Sequence, residues 1–368
     1  MVAGVRGERP ARLGMVVGQL TTGGAEGQLW QVARGLDPRR FAPIVYCLSP
    51  KIRPMGERLQ AAGVPLHVAP HAGWRRVGWL RRQLAADRID LVHSWLYIAN
   101  AVTWAATIGA PGRPLLTSAR NCKVQGRVSQ VANMLAFRAS RCIVANSGDV
   151  ATYIQRHYRA PAARIRVVYN GVDTERFHPP QPPPHRPSGP IVSIGRLVEQ
   201  KNHALFLDAA ARLAQRLPDA RFVIVGDGPL RLWLEAQARD RGIADRVTFA
   251  GERLDVDVVL RGASLFWLTS RWEGMPNVVL EALASGVPVV AADVGGTREL
   301  IHAGVDGFVV RADDPQAFVE PSLALLTDAT RWARCAAAAR EGAAAFASPR
   351  MVDAMAAVYA DALEVDRC

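Results

Sequence analysis

The feature that most constrains the fold is a series of twelve short apolar segments in which polar and apolar residues do not alternate. The first half holds LGMVVG (13–18), APIVYCL (42–48), IDLVHSW (89–95), PLLTSA (114–119), CIVANS (142–147) and IRVVYNG (165–171). The second half holds IVSIGRL (191–197), RFVIVGDG (221–228), RVTFAG (246–251), SLFWLTS (264–270), VPVVAAD (287–293) and GFVV (307–310). Runs with helical periodicity separate most of them. Strands that are apolar on both faces and joined through helices predict parallel sheets covered on both sides. Two such series predict an α/β protein of two Rossmann-like domains, with ligand sites at the carboxyl ends of the strands. If those ends face each other, they form one interdomain cleft.

The segment HPPQPPPHRPSGP (178–190) has seven prolines in thirteen residues. Proline fixes φ and lacks an N–H, so the segment is expected to be an extended connector. It divides the chain into an N-terminal domain over 1–177, a linker over 178–190 and a C-terminal domain over 191–349. A final helical run follows Ser348-Pro349, and its periodicity suits either domain. Charge changes sign at the same place. Residues 1–177 hold 25 Lys and Arg against 9 Asp and Glu, a net of +16, and residues 178–368 hold 20 against 24, a net of −4. Such asymmetry points to an anionic partner for the first half, either a membrane surface or a phosphorylated acceptor. An arginine-rich surface is the plain alternative, and the three lysines of the chain favour it. No basic run with interleaved aromatics occurs, so nucleic acid is not an expected partner.

Five scattered cysteines, none in a C-x-x-C pair, predict neither a disulfide framework nor a zinc site. No stretch of membrane-spanning length is apolar throughout, and the first eighteen residues lack a signal-peptide core. A cytoplasmic protein is the expectation.

The stretch SRWEGMPNVVLEALASG (270–286) is the most informative for chemistry. Pro276 suits the first turn of a helix, so Glu273 falls in the loop before it and Glu281 on the helix. Asn277, Glu281 and Ser285 share one face, and Gly286 ends the helix. The start of this helix, from Gly274 and Met275 onward, offers N–H groups and a positive dipole end to phosphate or sugar oxygens. Two isolated glutamates are more often a solvated stripe than a site, so their neighbours decide. SIGRLVEQKN sets Gly195 and Arg196 at a strand end and Lys201 five residues on. Two cations at the mouth of a βα unit can hold a diphosphate and neutralise it as it departs. TTGGAEGQ, with Gly24, is a glycine-rich turn whose backbone can approach a phosphate, but it lacks dinucleotide spacing. Asp255 and Asp257 form a D-x-D that reads as the first turn of a helix before it reads as a metal site. His93 lies at a strand end, where site residues sit, though a lone histidine there is more often structural. No paired histidine spacing for a metal and no G-x-S-x-G elbow occurs.

Taken together, GGAEGQLW, VANSGDVATYI, VVYNGVDTERF, IVSIGRLVEQKN, FVIVGDGPLR, VTFAGERLDV and SRWEGMPNVVLEALASGVPVVAADVGGTRELI resemble the retaining glycosyltransferases of family 4, which have the GT-B fold. The resemblance implies a nucleotide-diphospho-sugar donor bound mostly by the second domain, with no cofactor and no metal. It implies that Glu281 holds the ribose hydroxyls and that Glu273, with Gly274 and Met275, addresses the sugar. Arg196 and Lys201 would clamp the diphosphate, Gly24 would approach it from the first domain, and Arg253 and Leu254 would lie beside the base. The final helix, 350–368, would cross back to the first domain. Many members have a histidine where this chain has Arg120, which is suited to binding a phosphate or the acceptor rather than to acting as a base. His93 remains a second candidate in the first domain, and neither is assigned as an acid or base.

The expectation is therefore a retaining, metal-independent glycosyltransferase that moves a sugar to a glycan or lipid-linked acceptor in polysaccharide or glycolipid synthesis. Its basic first half would meet the acceptor and, peripherally, the inner membrane face. The alternatives are a nucleotide-sugar 2-epimerase of the same fold and a non-catalytic nucleotide-sugar-binding protein.

Overall fold

The computed structural model describes residues 9–21, 23–70, 72–110, 113–122, 126–182, 187 and 189–364. The chain divides into two compact units, residues 1–171 together with 348–368, and residues 172–347.

The first unit holds seven strands: β1 (Ala11–Val17), β2 (Phe41–Cys47), β3 (Leu66–Val68), β4 (Leu91–Trp95), β5 (Leu115–Ala119), β6 (Cys142–Ala145) and β7 (Ile165–Val167). All pair in parallel, in the order β3-β2-β1-β4-β5-β6-β7. Successive side chains point to opposite faces, and both faces are covered. Leu13, Met15 and Val17 pack with Leu29 and Val32 of the helix Gly24–Gly35 and with Met351, Met355 and Tyr359 of the helix Ser348–Glu364. On the opposite face, Val16, Tyr46 and Val92 pack with Trp79, Leu80 and Leu84 of the helix Arg75–Ala86. Gly35 lets the first and last helices of the unit approach, because a Cβ there would lie 2.9 Å from Val352 Cγ2.

The second unit holds six parallel strands: β8 (Ile191–Ile194), β9 (Phe222–Val225), β10 (Val247–Gly251), β11 (Leu265–Leu268), β12 (Val289–Ala292) and β13 (Gly307–Val310). Their order is β10-β9-β8-β11-β12-β13. Trp267 anchors one face, edge-on to Phe206 and Phe318, with its indole N–H donated to Ser322 Oγ at 3.0 Å. Val279, Leu280 and Leu283 of the helix Asn277–Ala284 cover the other face, against Phe266, Leu268 and Ala291.

In each sheet the strand order reverses once, between β1 and β4 and between β8 and β11. In doubly wound sheets, ligands bind outside the carboxyl ends of the strands at that reversal.

Three features differ from the sequence reading. The three-residue edge strand β3 leaves no apolar run in the sequence, because it is short and has His67 at its centre. The units part between Gly171 and Val172 rather than after Phe177. Val172 and Phe177 are buried in the core of the second unit, and Val172 N donates to Phe346 O at 2.8 Å, so the chain joins that unit before its prolines begin. The proline-rich segment thus starts inside the second unit, and residues 183–186 and 188 lie outside the described residues. The closing helix starts at Ser348 rather than at residue 350 and belongs to the first unit. Residues 365–368 lie outside the described residues.

Candidate active site

The loops that follow β8 and β11 lie side by side at the reversal of the second sheet, and hydrogen bonds knit them together. Arg271 N donates to Gln200 O at 2.8 Å, Gln200 Nε2 to Trp272 O at 3.0 Å, and Thr269 Oγ1 to Lys201 O at 3.1 Å. A short 3-10 turn, Glu199–Lys201, aims the Lys201 side chain across Gly195. A Cβ on Gly195 would press on the Lys201 methylenes at 3.0 Å. The ammonium of Lys201 donates to Glu273 Oε1 at 2.6 Å, and Ser270 Oγ donates to the same oxygen at 2.7 Å. Both partners are mostly buried.

The pair has spare capacity on each side. An ammonium carries three donors, of which Glu273 takes one. Glu273 Oε2 has no hydrogen-bond partner among the described residues. Arg196, next to Gly195, is exposed, and its guanidinium makes no ion pair or hydrogen bond among the described residues. A free guanidinium and a partly free ammonium at a strand mouth suit a diphosphate, and the free Oε2 suits a hydroxyl.

Behind this loop, Gly295 and Gly296 brace its backbone. Gly296 N donates to Gly274 O at 2.6 Å. Gly295 has φ +53, and a Cβ on it would lie 2.4 Å from Gly274 O and 2.7 Å from Glu273 O. Only glycine fits there. Local pattern does not single out these two residues, although a Gly-Gly pair directly after a strand is the signal it offers.

Pro276 is the N-cap of the helix Asn277–Ala284, with φ −75 and ψ 108, one position earlier than expected. Met275 is buried beneath the turn. Ser285 is buried rather than part of a solvated stripe, and its hydroxyl donates to Glu281 O at 2.8 Å. Gly286 follows with φ +69 and ends the helix, as expected. Glu281 is half-buried, and its carboxylate makes no hydrogen bond among the described residues. Burial pushes its pKa up to about 7, and the nearby charges of Arg176 and Lys201 pull the other way. A carboxylate held in this state gains from hydroxyl donors.

Arg176 was not singled out in the sequence. Its Nη2 donates to Leu254 O at 2.6 Å and its Nε to Asp257 Oδ1 at 3.0 Å, so it ties the loop 252–255 and the start of the helix Val256–Arg261 to the neighbourhood of Glu281. Leu254 is exposed and Arg253 forks onto Asp255 at 2.5 and 2.7 Å. That bond holds the Asp255 carboxyl down at about 2. Asp257 also accepts from Arg261 at 2.8 Å. Both carboxylates of the D-x-D are therefore engaged by arginines. His203, also unassigned before, is buried at the start of the helix His203–Arg216, and burial pulls its pKa down to about 4, so it is neutral.

The first unit holds the remaining three candidates. Gly24 opens the helix Gly24–Gly35 after β1 and is exposed. His93 requires a correction. It is fully buried on β4, with Nδ1 2.8 Å from Tyr359 Oη and Nε2 2.7 Å from Ser118 Oγ. Burial, with the Arg120 charge beside it, holds its pKa well below the ordinary histidine range. Both ring nitrogens are occupied, so His93 pins the closing helix to the sheet and offers nothing to a substrate. Arg120 follows β5 directly and is buried. Its Nη1 donates to Asn170 Oδ1 at 2.9 Å, and its guanidinium lies 3.9 Å from the centre of the Trp95 ring.

Two doubly wound units, one of them with a cation–carboxylate cluster at its strand reversal, define a protein of the GT-B class. Residues 22–176 match the family described as Glycosyltransferase Family 4, and residues 189–328 match Glycosyl transferases group 1. The chain belongs to glycosyltransferase family 4. It is 38% identical over 178 residues to the Vi polysaccharide biosynthesis protein VipC/TviE of Salmonella typhi, covering 44% of this chain and 30% of that one. It is 35% identical over 243 residues to the lipopolysaccharide core biosynthesis mannosyltransferase LpsB of Rhizobium meliloti, covering 61% and 66%. The chain thus spans from about a third to just under two thirds of these relatives' lengths. The fold matches the crystal structure of Anabaena HepE in complex with UDP-glucose, with TM-score 0.84 and 23% identity, covering 95% of this chain and 99% of that one.

Proposed function

We propose that this chain is a retaining glycosyltransferase that takes a sugar from a nucleotide-diphospho-sugar and gives it to a glycan or lipid-linked acceptor in cell-surface polysaccharide or glycolipid synthesis. The observation that supports this most strongly is the Lys201–Glu273 pair at the reversal of the second sheet, with Arg196 free beside it and Glu281 unpartnered behind it. Two relatives are named for polysaccharide and lipopolysaccharide synthesis, which supports the acceptor class.

In this reading Glu281 accepts from the ribose hydroxyls, and the loop around Arg253 and Leu254 borders the base. Lys201 and Arg196 hold the diphosphate. Glu273 fixes the ammonium with Oε1 and takes a sugar hydroxyl with Oε2. As the glycosidic bond to the leaving phosphate breaks, negative charge grows on that phosphate. The two cations, fixed beforehand, stabilise it, which is where the barrier is lowered. Side chains supply this charge, so the proposed reaction needs no metal ion and no cofactor. Retention follows if the acceptor hydroxyl attacks from the face the phosphate leaves, with that phosphate receiving its proton.

The basic first unit is assigned to the acceptor and to an anionic membrane surface at the cytoplasmic face. Trp74 is 82% and Val128 86% exposed, and both lie next to exposed arginines, Arg75 and Arg127. Exposed apolar side chains beside cations suit a lipid interface. No helix among the described residues is long and apolar enough to cross a membrane. If the protein fails to bind vesicles containing anionic lipid at low salt, the membrane assignment is wrong.

The activity is tested by nucleotide release and by proton NMR of the product anomer, with donor and acceptor supplied together. The reading expects release that depends on acceptor, an anomer that matches the donor, and loss of both in Lys201→Ala. Release without acceptor and with sugar epimerised would favour the epimerase instead.

A further inference from the structure

Arg120 is a buried cation without a counter-charge. It is 6% exposed, and its Nε and Nη2 have no hydrogen-bond partner among the described residues. Its contacts are Asn170 Oδ1, through Nη1, and the face of Trp95. No acidic side chain among the described residues pairs with it. Its two titratable neighbours do not balance it, because burial keeps His93 and Tyr359 neutral. Burial also pulls Arg120 itself down to about 9, which leaves it charged at neutral pH. Buried charges are normally paired, because desolvation is costly.

The location of Arg120 suits a ligand. Trp95 ends β4, Arg120 follows β5, Asn146 follows β6 and Asn170 follows β7, so four carboxyl strand ends converge on one corner. Asn146 Oδ1 and Trp95 Nε1 are buried there without hydrogen-bond partners among the described residues as well. Next to Trp95, Leu96 has φ +72 and ψ 163, backbone that leucine rarely adopts.

We propose that this corner of the first unit binds the carboxylate of a uronic acid, held in a two-pronged grip by Nε and Nη2 of Arg120. The proposal rests on the glycosyltransferase reading and deepens it by naming an acidic sugar as the substrate class. The two free nitrogens lie along one edge of a planar group, which matches the two oxygens of a carboxylate. Charge balance separates carboxylate from phosphate. One guanidinium neutralises one carboxylate, whereas a phosphate monoester would leave excess negative charge buried. Asn170 and the Trp95 ring fix the guanidinium from its other sides. Arg120 is therefore a specificity-determining residue.

The test uses thermal unfolding of the full chain. One arm compares UDP-glucuronate with UDP-glucose, and repeats the comparison with whichever nucleotide the protein prefers. The second compares methyl glucuronoside with methyl glucoside, and inorganic phosphate is the control. The proposal expects the acidic sugar to bind about 10- to 100-fold more tightly than its neutral counterpart in one arm. The first arm would make the uronate the donor, the second the acceptor. Arg120→Gln should abolish that preference while its ligand-free melting temperature stays the same or rises, since a lone buried charge is gone. A purely structural Arg120 would lower the melting temperature and leave no preference to lose. Equal binding of acidic and neutral sugars in both arms, a preference that survives in Arg120→Gln, or stabilisation by phosphate in place of the uronate overturns the proposal. If Arg120→Gln does not fold, the wild-type comparison decides. Failure of the broader reading is distinguishable, because it would remove the response to the nucleotide diphosphate itself, which Arg120→Gln leaves intact.

Discussion

Lys201 Nζ donates to Glu273 Oε1 at 2.6 Å, joining residues 72 positions apart at the reversal of the second sheet. The bond depends on two loops that are themselves cross-linked through Gln200 and Thr269. Removal of the ammonium leaves a largely buried carboxylate with Ser270 as its one hydrogen-bond partner among the described residues. Lys201→Ala is expected to lose about 1–3 kcal/mol of stability, measured by urea unfolding. Nucleotide release per folded molecule should fall about 10²- to 10³-fold, because a preorganised charge at the leaving phosphate is gone. Unchanged release would remove Lys201 from the diphosphate.

Glu281 predicts a pH dependence with a definite sign. Burial raises its carboxyl from the ordinary 4.5 to about 7. The folded protein therefore keeps a proton that the unfolded chain loses between those values. The contribution of this group to stability declines as pH rises through that window. Nucleotide binding runs the other way, because the ionised form accepts from ribose hydroxyls. Affinity should climb from pH 6 to pH 8 in the wild type, by titration calorimetry, and the climb should vanish in Glu281→Gln. The same variant should be no less stable than wild type at pH 8. A pH profile that Glu281→Gln leaves unchanged would place the titrating group elsewhere.

Much of this arrangement is legible from sequence, for identifiable reasons. Strands buried on both faces leave unbroken apolar runs, and these located every strand except β3. The placement of Glu273 and Lys201 on turns after strands and of Glu281 on a helix is legible from local pattern, whereas the roles proposed for them rest on the family resemblance. Arg176 was not legible, because its partners Leu254 and Asp257 lie 78 and 81 residues away. His93 misled because a strand end normally opens to a ligand. Here Tyr359, 266 residues further on, covers it from the closing helix. Where a side chain's fate depends on a distant element, the local pattern is silent.

That covering contact is itself testable. Tyr359→Phe deletes the hydroxyl opposite His93 Nδ1 and leaves a buried ring nitrogen unsatisfied. A loss of about 1–3 kcal/mol is expected in urea unfolding. The pH profile of turnover should keep its shape, since His93 transfers no proton. A shifted profile would instead make His93 the titrating group.

Gly295→Ala tests the brace behind the Glu273 loop. A Cβ there meets Gly274 O at 2.4 Å, and φ +53 adds strain. The loop must shift, so donor binding should weaken at least tenfold while the far-UV circular dichroism stays that of the folded protein. Wild-type affinity in this variant would show that the loop position is not set from behind.

The central claim is that the second unit binds a nucleotide-diphospho-sugar through Lys201 and Glu281. The most direct measurement is a thermal-shift panel of UDP-, GDP-, ADP- and dTDP-sugars on the wild type, Lys201→Ala and Glu281→Ala. A ligand that binds only the folded state raises the melting temperature by mass action. The account predicts that at least one nucleotide sugar stabilises the wild type and that each substitution removes most of the shift. No shift with any of the four, or equal shifts in all three proteins, would contradict it.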